Sequence, residues 1–465
     1  MKPSKDFFDV YHLFYKLNIK NVLKTKFILF VSLLISVVTF SQKKWTLKEC
    51  VDQALERNIS IQQNKLSLEL AKKDVDISKG NFLPNLSGSS SGSFNSGLSP
   101  DKTGVLTNTN NFNGRFSLRS SGNIFNGYRN TNTYKQAQLG VKSSLLDLKK
   151  IENDISLNVV NGYLNILFAK ENLNAARFQY EISKKQIEAA ESRLKSGVIA
   201  KGDLLNTQST AATDQQAVVS QENALDLSLL NLAQLLQVPA EGFDIASVDV
   251  GAPSANLFYK NSSTVYNKSL ERMPEIERAT LAIKNADLNI KISKGAFLPT
   301  LSYDLSAGTS YYHQFNNLLP GRVNDDFFNQ VNDRLQYGAG VSLSIPIFSR
   351  FQTKNRVAQS KINKEISETR LESEKLILKQ TIEQAFLDVK TALKSYEAAK
   401  ISQDAQEEAF KNAQERYNYG AMTLFDFDQV RTRLVNAQGA LIRSKYDYVF
   451  KTKVLQFYSG ELVLE

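Results

Sequence analysis

The sequence contains little of the material from which active sites are usually built. Among its 465 residues there are one cysteine, Cys50, and two histidines, His12 and His313. A single cysteine excludes a disulfide scaffold and a cysteine-based zinc site. Two histidines leave almost nothing for a histidine metal cluster or a Ser-His-Asp triad. These absences argue against catalysis by the commonest routes. We expect a protein that is not an enzyme, with no catalytic, cofactor-binding or metal-binding residues.

Long apolar runs are also scarce. Residues 27–40, FILFVSLLISVVTF, form an apolar run of 14 residues behind a basic and polar lead. This length is too short for a comfortable membrane span and is typical of a signal-peptide core. We predict that residues 1–41 are a signal peptide cleaved before Gln42, with an uncleaved anchor as the alternative. They hold six lysines and two aspartates, so cleavage lowers the formal charge from +10 to +6.

Beyond residue 41 no apolar stretch approaches the length of a membrane-spanning helix. If the exported chain crosses a membrane, we expect it to do so as a closed β-barrel, because unpaired backbone polar groups are not tolerated in lipid.

The chain is an internal duplication. The phrase ISKGNFLP at Ile77–Pro84 recurs as ISKGAFLP at Ile292–Pro299. A second block also repeats, and its matched pairs include Arg193 with Arg416, Gly197 with Gly420, and Asp203 with Asp426. We predict two structural repeats, 42–240 and 262–465, joined by a linker at 241–261.

Each repeat predicts the same order of elements. A helical apolar face that begins at Leu47 predicts an entry helix to about Lys79 in the first repeat, ended by Gly80. Alternating apolar residues then predict two strands, joined by polar loops at about 98–111 and 313–336. A long helix follows, over about 133–196 or 354–419, and after a short break a return helix of about 34 residues.

These lengths favour a tube or a rod. A helix of about 64 residues is ~95 Å long, which equals the combined length of the entry and return helices. We expect each long helix to lie beside two half-length helices. Four strands per chain cannot close a membrane barrel, because the smallest have about eight; two chains would supply eight strands and three would supply twelve.

The duplication and two phrases at the breaks, RLKSGVIAKGDLLNTQ (193–208) and RYNYGAMTLFDFDQVR (416–431), resemble the TolC-type outer-membrane efflux family. The resemblance implies a mainly α fold with a small β part. In this fold the long antiparallel helices form a periplasmic α-barrel, and the strands contribute to a trimeric 12-stranded transmembrane β-barrel.

The resemblance also implies a function and a location. The expected protein is an exit duct in the outer membrane, with a long periplasmic extension. It would passively conduct substrates from an inner-membrane RND or ABC-type pump and a periplasmic adaptor, in multidrug or metal efflux or in type I secretion. Its other partners would be two further copies of itself and outer-membrane lipid, and no nucleic acid.

Functional residues follow from the same resemblance. Asp426 occupies the position that rings the periplasmic entrance of the duct, where three converging charges would filter ions. Tyr417 and Asp203 occupy positions that tie the entrance shut. A second acidic position of the family is Gln429 here. The residues expected to contact the adaptor at the helical tips are Arg193, Leu194, Gly197, Arg416 and Gly420.

Simpler interpretations exist for each assignment. Asp203 and Asp426 are also suited to helix N-capping, and the two tip glycines to ordinary αα-hairpin turns that need positive φ. For the whole protein, the alternative is a periplasmic or cell-surface coiled-coil tether or adhesin. That alternative explains the long helices but neither the strands nor the duplication.

Overall fold

The computed structural model describes residues 44–100, 104–248, 251, 259–316 and 324–461. The predicted signal peptide lies outside these residues. Within them, no helix combines the length and the apolar character needed to cross a bilayer. The described chain is mainly helical with a small β part, so the predicted fold class is confirmed.

The two repeats contain matching elements of equal helix length. The first repeat consists of β1 (Lys44–Trp45), α1 (Leu47–Arg57), α2 (Ile59–Gly80), β2 (Asn85–Pro100), β3 (Leu106–Phe125), α3 (Arg129–Lys195) and α4 (Lys201–Leu236). After β4 (Asp244–Ile245), the second consists of α5 (Ser262–Arg272), α6 (Pro274–Gly295), β5 (Thr300–Gln314), α7 (Phe327–Asp333), β6 (Gln336–Ser344), α8 (Gln352–Asn418) and α9 (Leu424–Ser459). The long helices α3 and α8 each have 67 residues, and the return helices α4 and α9 each have 36.

The two long helices pack as their lengths predicted, each beside shorter helices. Helix α3 lies against α2 and α4 on one side, and against α6 and α9 on the other. Helix α8 lies against α6 and α9. Each 67-residue helix, about 100 Å long, therefore lies beside two shorter helices that follow each other along its length.

The entry helix is not continuous, and this part of the prediction is wrong. Asn58 separates α1 from α2 with φ −59° and ψ 131°. Its side-chain oxygen accepts from the Ser60 N–H at 2.9 Å, and its side-chain nitrogen donates to the Leu235 carbonyl at 3.2 Å. An asparagine that caps a new helix competes with continuation of the old one. In the second repeat Pro274 begins α6, and the residue before it, Met273, is extended.

The four long strands form one antiparallel sheet in the order β2-β3-β5-β6. The predicted loop at 98–111 is wrong, because β2 continues to Pro100 and β3 begins at Leu106, with Asn108 paired to Leu98. The sequence of β2 is rich in serine and glycine, so it lacks apolar alternation although its backbone ladder is complete.

The second predicted loop, 313–336, contains a helix that the sequence did not indicate. Asp326 caps α7 by accepting from the Phe328 N–H at 3.1 Å. The side-chain amide of Gln330 accepts from the Tyr312 N–H and donates to the Tyr312 carbonyl, both at 3.0 Å. Gln330 thus provides the hydrogen bonds of a strand partner where β5 extends beyond β6.

The main core lies where α1, α3 and α4 meet the parallel pair formed by β1 and β4. Cys50 is fully buried there. The hydroxyl of Tyr163 donates to the Ala246 carbonyl at 2.7 Å, and burial raises the pKa of Tyr163 to about 12. The predicted linker 241–261 therefore contributes β4 to this core.

Candidate functional site at the helical tips

The turn from α3 to α4 is a compact helix ending. The Gly197 N–H donates to the Leu194 carbonyl at 3.0 Å, and the Val198 N–H donates to the Arg193 carbonyl at 2.9 Å. This pair of bonds is the Schellman arrangement, which needs a left-handed residue after the helix. Gly197 provides it with φ +73°.

The turn from α8 to α9 has the same construction. The Gly420 N–H donates to the Tyr417 carbonyl at 3.1 Å, and the Ala421 N–H to the Arg416 carbonyl at 2.8 Å. Gly420 has φ +72°. The interpretation of both glycines as hairpin-turn residues is therefore confirmed. This role is compatible with the expected contact between the tips and an adaptor.

Both candidate gate carboxylates lie at the start of a return helix. One Asp426 oxygen accepts from the Thr423 hydroxyl at 2.7 Å, while the Asp426 N–H donates back to that hydroxyl at 3.2 Å. Asp203 accepts from the Ala200 N–H at 3.3 Å. Neither aspartate is the N-cap itself; each is the third helical residue, where a negative charge also stabilises the helix. Asp426 is exposed.

Tyr417 joins the two tips. Its ring stacks on Phe427 at a centroid distance of 4.9 Å, and the Arg193 guanidinium lies 4.8 Å from its centroid. Arg193 also donates to the Asn418 carbonyl at 3.4 Å. Tyr417 and Asp203 share no hydrogen bond in the described part of the chain. Burial raises the pKa of Tyr417, Arg193 lowers it, and Asp203 adds a smaller rise.

The tips also carry exposed apolar side chains that the sequence did not single out. Val198 is 71% exposed, Tyr419 83% and Phe425 71%. Beside the second turn, a groove of about 600 Å³ is lined by residues that include Arg416, Gly420 and Asp426. Exposed apolar groups rimmed by charges are typical of a protein contact surface.

A buried ion pair lies above the tips and was missed by the sequence reasoning. Arg431, on α9, is only 5% exposed. Its guanidinium contacts the carboxylate of Asp214, on α4, and donates to the Gln186 side chain, on α3, at 3.0 Å. Ser183, also on α3 and fully buried, donates to Asp214.

This cluster connects the two tip hairpins, because Arg431 belongs to the second repeat and its main partners to the first. Burial raises the pKa of the nearby Asp428, Arg431 opposes that rise and Asp214 adds to it. A sequence signal was present: Phe427, Arg431 and Leu434 follow at steps of four and three, which places a charged residue on a buried helical face.

Most of the chain is similar in sequence to known outer-membrane and secretion proteins. It matches the family described as Outer membrane efflux protein over residues 50–237 and 265–461. It is 22% identical over 427 residues to the outer membrane protein TolC of Escherichia coli K12, covering 90% of this chain and 82% of that protein. It is 21% identical over 333 residues to the alkaline protease secretion protein AprF of Pseudomonas aeruginosa, covering 71% and 66% of the two chains.

Solved structures share the fold. The Campylobacter jejuni CmeC outer membrane channel has a TM-score of 0.73 at 22% identity, with 90% of this chain and 86% of that chain covered. The open state of the Neisseria gonorrhoeae MtrE outer membrane channel has a TM-score of 0.63 at 20% identity, with 90% of each chain covered.

Proposed function

This chain belongs to the outer membrane efflux protein family, and we propose that three copies of it form the exit duct of a tripartite export system. The sheets form a shared barrel in the outer membrane, and the helices continue the duct into the periplasm. A periplasmic adaptor and an inner-membrane pump of the RND or ABC type deliver the substrate. A coiled-coil tether or adhesin would leave the sheet and the family match unexplained.

The main observation in support of the proposal is that the protomer has two opposite edges, each of which can contact another copy of the chain. In the sheet, β2 and β6 are the outer strands, so each offers a row of backbone groups to another chain. One face of the sheet also exposes a continuous apolar surface, which suits lipid; it includes Leu118, Leu305, Val341 and Leu343. Three four-stranded sheets supply twelve strands.

The helical layer ends in two apolar stripes. Helix α2 exposes Ile59, Leu66, Leu70 and Ile77, each at least 58% exposed and spaced by seven, four and seven residues. Helix α8, at the opposite edge, exposes Ile362, Ile366, Leu376 and Ile377, among others. The spacing on α2 is that of a coiled-coil contact surface, and the exposed apolar residues of α8 offer it an apolar partner.

The two stripes lie at the same height. Helix α2 ends and helix α8 begins beside the sheet, at Gly80 and Gln352. Counted from those ends, Leu70 and Ile362 are both ten residues away. Because the stripes are different surfaces, their contact is head-to-tail, and repetition of one rotation closes a ring.

At the far end of the duct, we assign the gate to Asp426, Asp203 and Tyr417. Three copies of the exposed Asp426 would place converging negative charges at the mouth, which favours cations. We assign adaptor contacts to Arg193, Leu194, Gly197, Arg416 and Gly420, supported by the apolar side chains exposed beside them.

The proposal is tested by assembly and conductance of variants of the α2 stripe. Leu70→Asp places a charge in the apolar contact and should leave monomers in mass photometry that do not conduct in a planar bilayer. Ser67→Asp, on the same helix and also exposed, should still form conducting trimers. A Leu70→Asp protein that is as trimeric and as conducting as the unmodified protein would overturn the proposal.

A further inference from the structure

The positive charge of the chain is concentrated where the helices meet the sheet. We define the collar as residues 72–80, 129–142, 284–295 and 350–361, which are the ends of α2, α3, α6 and α8 nearest the strands. It contains thirteen lysines and arginines, three aspartates and no glutamate. Its net charge is +10, whereas residues 42–465 together carry +6, so the chain outside the collar carries −4.

The collar side chains are available for a partner. All of its basic residues except Arg129 are exposed. Two of them form ion pairs, Lys72 with Glu69 and Lys73 with Asp76. The other eleven have no ion-pair partner among the residues that the structure describes. Uncompensated like charges held this close repel one another, so an anion that neutralises them is bound favourably.

The collar includes a groove whose shape suits an amphipathic anion. The groove, of about 880 Å³, lies between α2, α3 and α6. Its lining contains more lysines than acidic residues, with Asp76 and Asp287 beside five exposed lysines, and most of its less exposed residues are apolar. The lysines are Lys72, Lys135, Lys142, Lys284 and Lys291, and the apolar residues include Val75, Leu139 and Leu288. A free inorganic anion would make no use of the apolar residues, but a lipid would use both these and the lysines.

The groove lies on the outer side of the duct. Gln138 and Lys142, which line the groove, precede Tyr163 and Leu167 by 25 residues, which is about seven turns of an α-helix and therefore the same face. Tyr163 and Leu167 belong to the core beside the β1–β4 layer. In a closed tube that layer lies outside, because three copies of it inside would fill the duct.

The sheet sets the height of the membrane. The fourth strand, β6, is present only near the helices, where Gln336–Ser344 pairs with residues 300–308. All four strands lie side by side over residues 85–89, 117–121, 304–308 and 336–340. The nine residues of β6 are about what a tilted strand needs to cross the hydrocarbon core. The collar therefore begins where the hydrocarbon ends, at the level of the lipid headgroups.

We infer that the collar binds anionic phospholipid headgroups of the periplasmic leaflet, an inference that rests on the proposed function. Clusters of four to eight basic residues beside a membrane are sufficient to bind anionic lipid. In a trimer this ring would hold the duct at a fixed depth.

The test uses the mature protein in nanodiscs of phosphatidylcholine with one fifth phosphatidylglycerol. Native mass spectrometry should find phosphatidylglycerol enriched among the retained lipids, and about 0.5 M salt should weaken the enrichment by screening. The variant Lys135→Gln, Lys291→Gln, Lys294→Gln should lower phosphatidylglycerol affinity by about tenfold or more. The control is Lys185→Gln, Lys390→Gln, Lys400→Gln, which removes the same charge from exposed sites far from the sheet and should retain the enrichment.

Two results would overturn the inference. One is a conducting trimer without enrichment, or with enrichment unchanged in the collar variant; this leaves the proposed function intact. The other is a protein that neither inserts nor forms trimers, which overturns both proposals together.

Discussion

Removing Asp214 should reveal how firmly the two tip hairpins are held together. Arg431 is 5% exposed and the Asp214 side chain 16% exposed, so the pair is largely shielded from water. In Asp214→Ala the guanidinium stays buried without its counter-charge. Loss of one partner of a buried pair costs about 3–5 kcal/mol. The hydroxyl of Ser183 also loses its carboxylate acceptor, worth about 1 kcal/mol.

The measurement is denaturant unfolding of the mature protein, followed by the loss of its helical circular dichroism signal. The matched control is Glu222→Ala, which breaks the exposed pair between Arg177 and Glu222, also across α3 and α4. Exposed pairs contribute about 0–1 kcal/mol, so the two variants should differ by several kcal/mol.

A double-mutant cycle isolates the pair itself. We expect Asp214→Leu together with Arg431→Met to be more stable than either single variant, because no unpaired charge remains buried. The reasoning is refuted if Asp214→Ala costs no more than Glu222→Ala, or if the effects of the two single changes simply add.

Three further predictions concern the tips. Asp426→Asn should weaken cation selectivity and block by trivalent cations in bilayer recordings, because it removes the three charges that we propose to converge at the mouth; unchanged selectivity would leave Asp426 only a helix-stabilising role. Gly420→Ala should cost about 1–2 kcal/mol of unfolding free energy, because its φ is +72° although the space around it is open; Gly439→Ala, in a helix interior with open space, should instead stabilise slightly. Asp428→Asn tests the raised pKa of Asp428. Because its pKa is higher in the folded state, the protonated carboxyl of Asp428 stabilises the fold at low pH. This stabilisation is lost as the pH rises through the pKa that Asp428 has in the folded state. The variant should therefore lose less of its melting temperature between about pH 4 and neutrality than the unmodified protein, and an equal loss in both would contradict this.

The long helices were predictable because their signal is local. Apolar residues at steps of three and four, such as Ile151, Ile155, Val159 and Gly162, continue over many turns and indicate a long packed helix, and glycine at the tips indicates a left-handed turn. Both features depend only on neighbouring residues, so the hairpins of Gly197 and Gly420 were correctly placed.

The features that were missed depend on partners far along the chain. Asn58 ends α1 partly because Leu235, 177 residues away, accepts its side chain. Helix α7 is held by Gln330 against the backbone of Tyr312, and no local pattern encodes that contact. The Arg431 cluster likewise needs Asp214, 217 residues away. A charged residue on an apolar face was visible in the sequence, but its partner was not.

The central claim, that three chains close head-to-tail into one duct, is tested most directly by disulfide cross-linking between the two edges. The protein carries Leu70→Cys and Ile362→Cys, which lie at the same height on α2 and α8, while the native Cys50 is buried. The two new cysteines lie on opposite edges of one protomer, so oxidation can join them only between chains. We predict that a denaturing gel shows species of one, two and three chains, and that the three-chain species accumulates at the expense of the others as oxidation is completed. A ladder that continues beyond three chains, or a protein that conducts yet stays at one, would contradict the account.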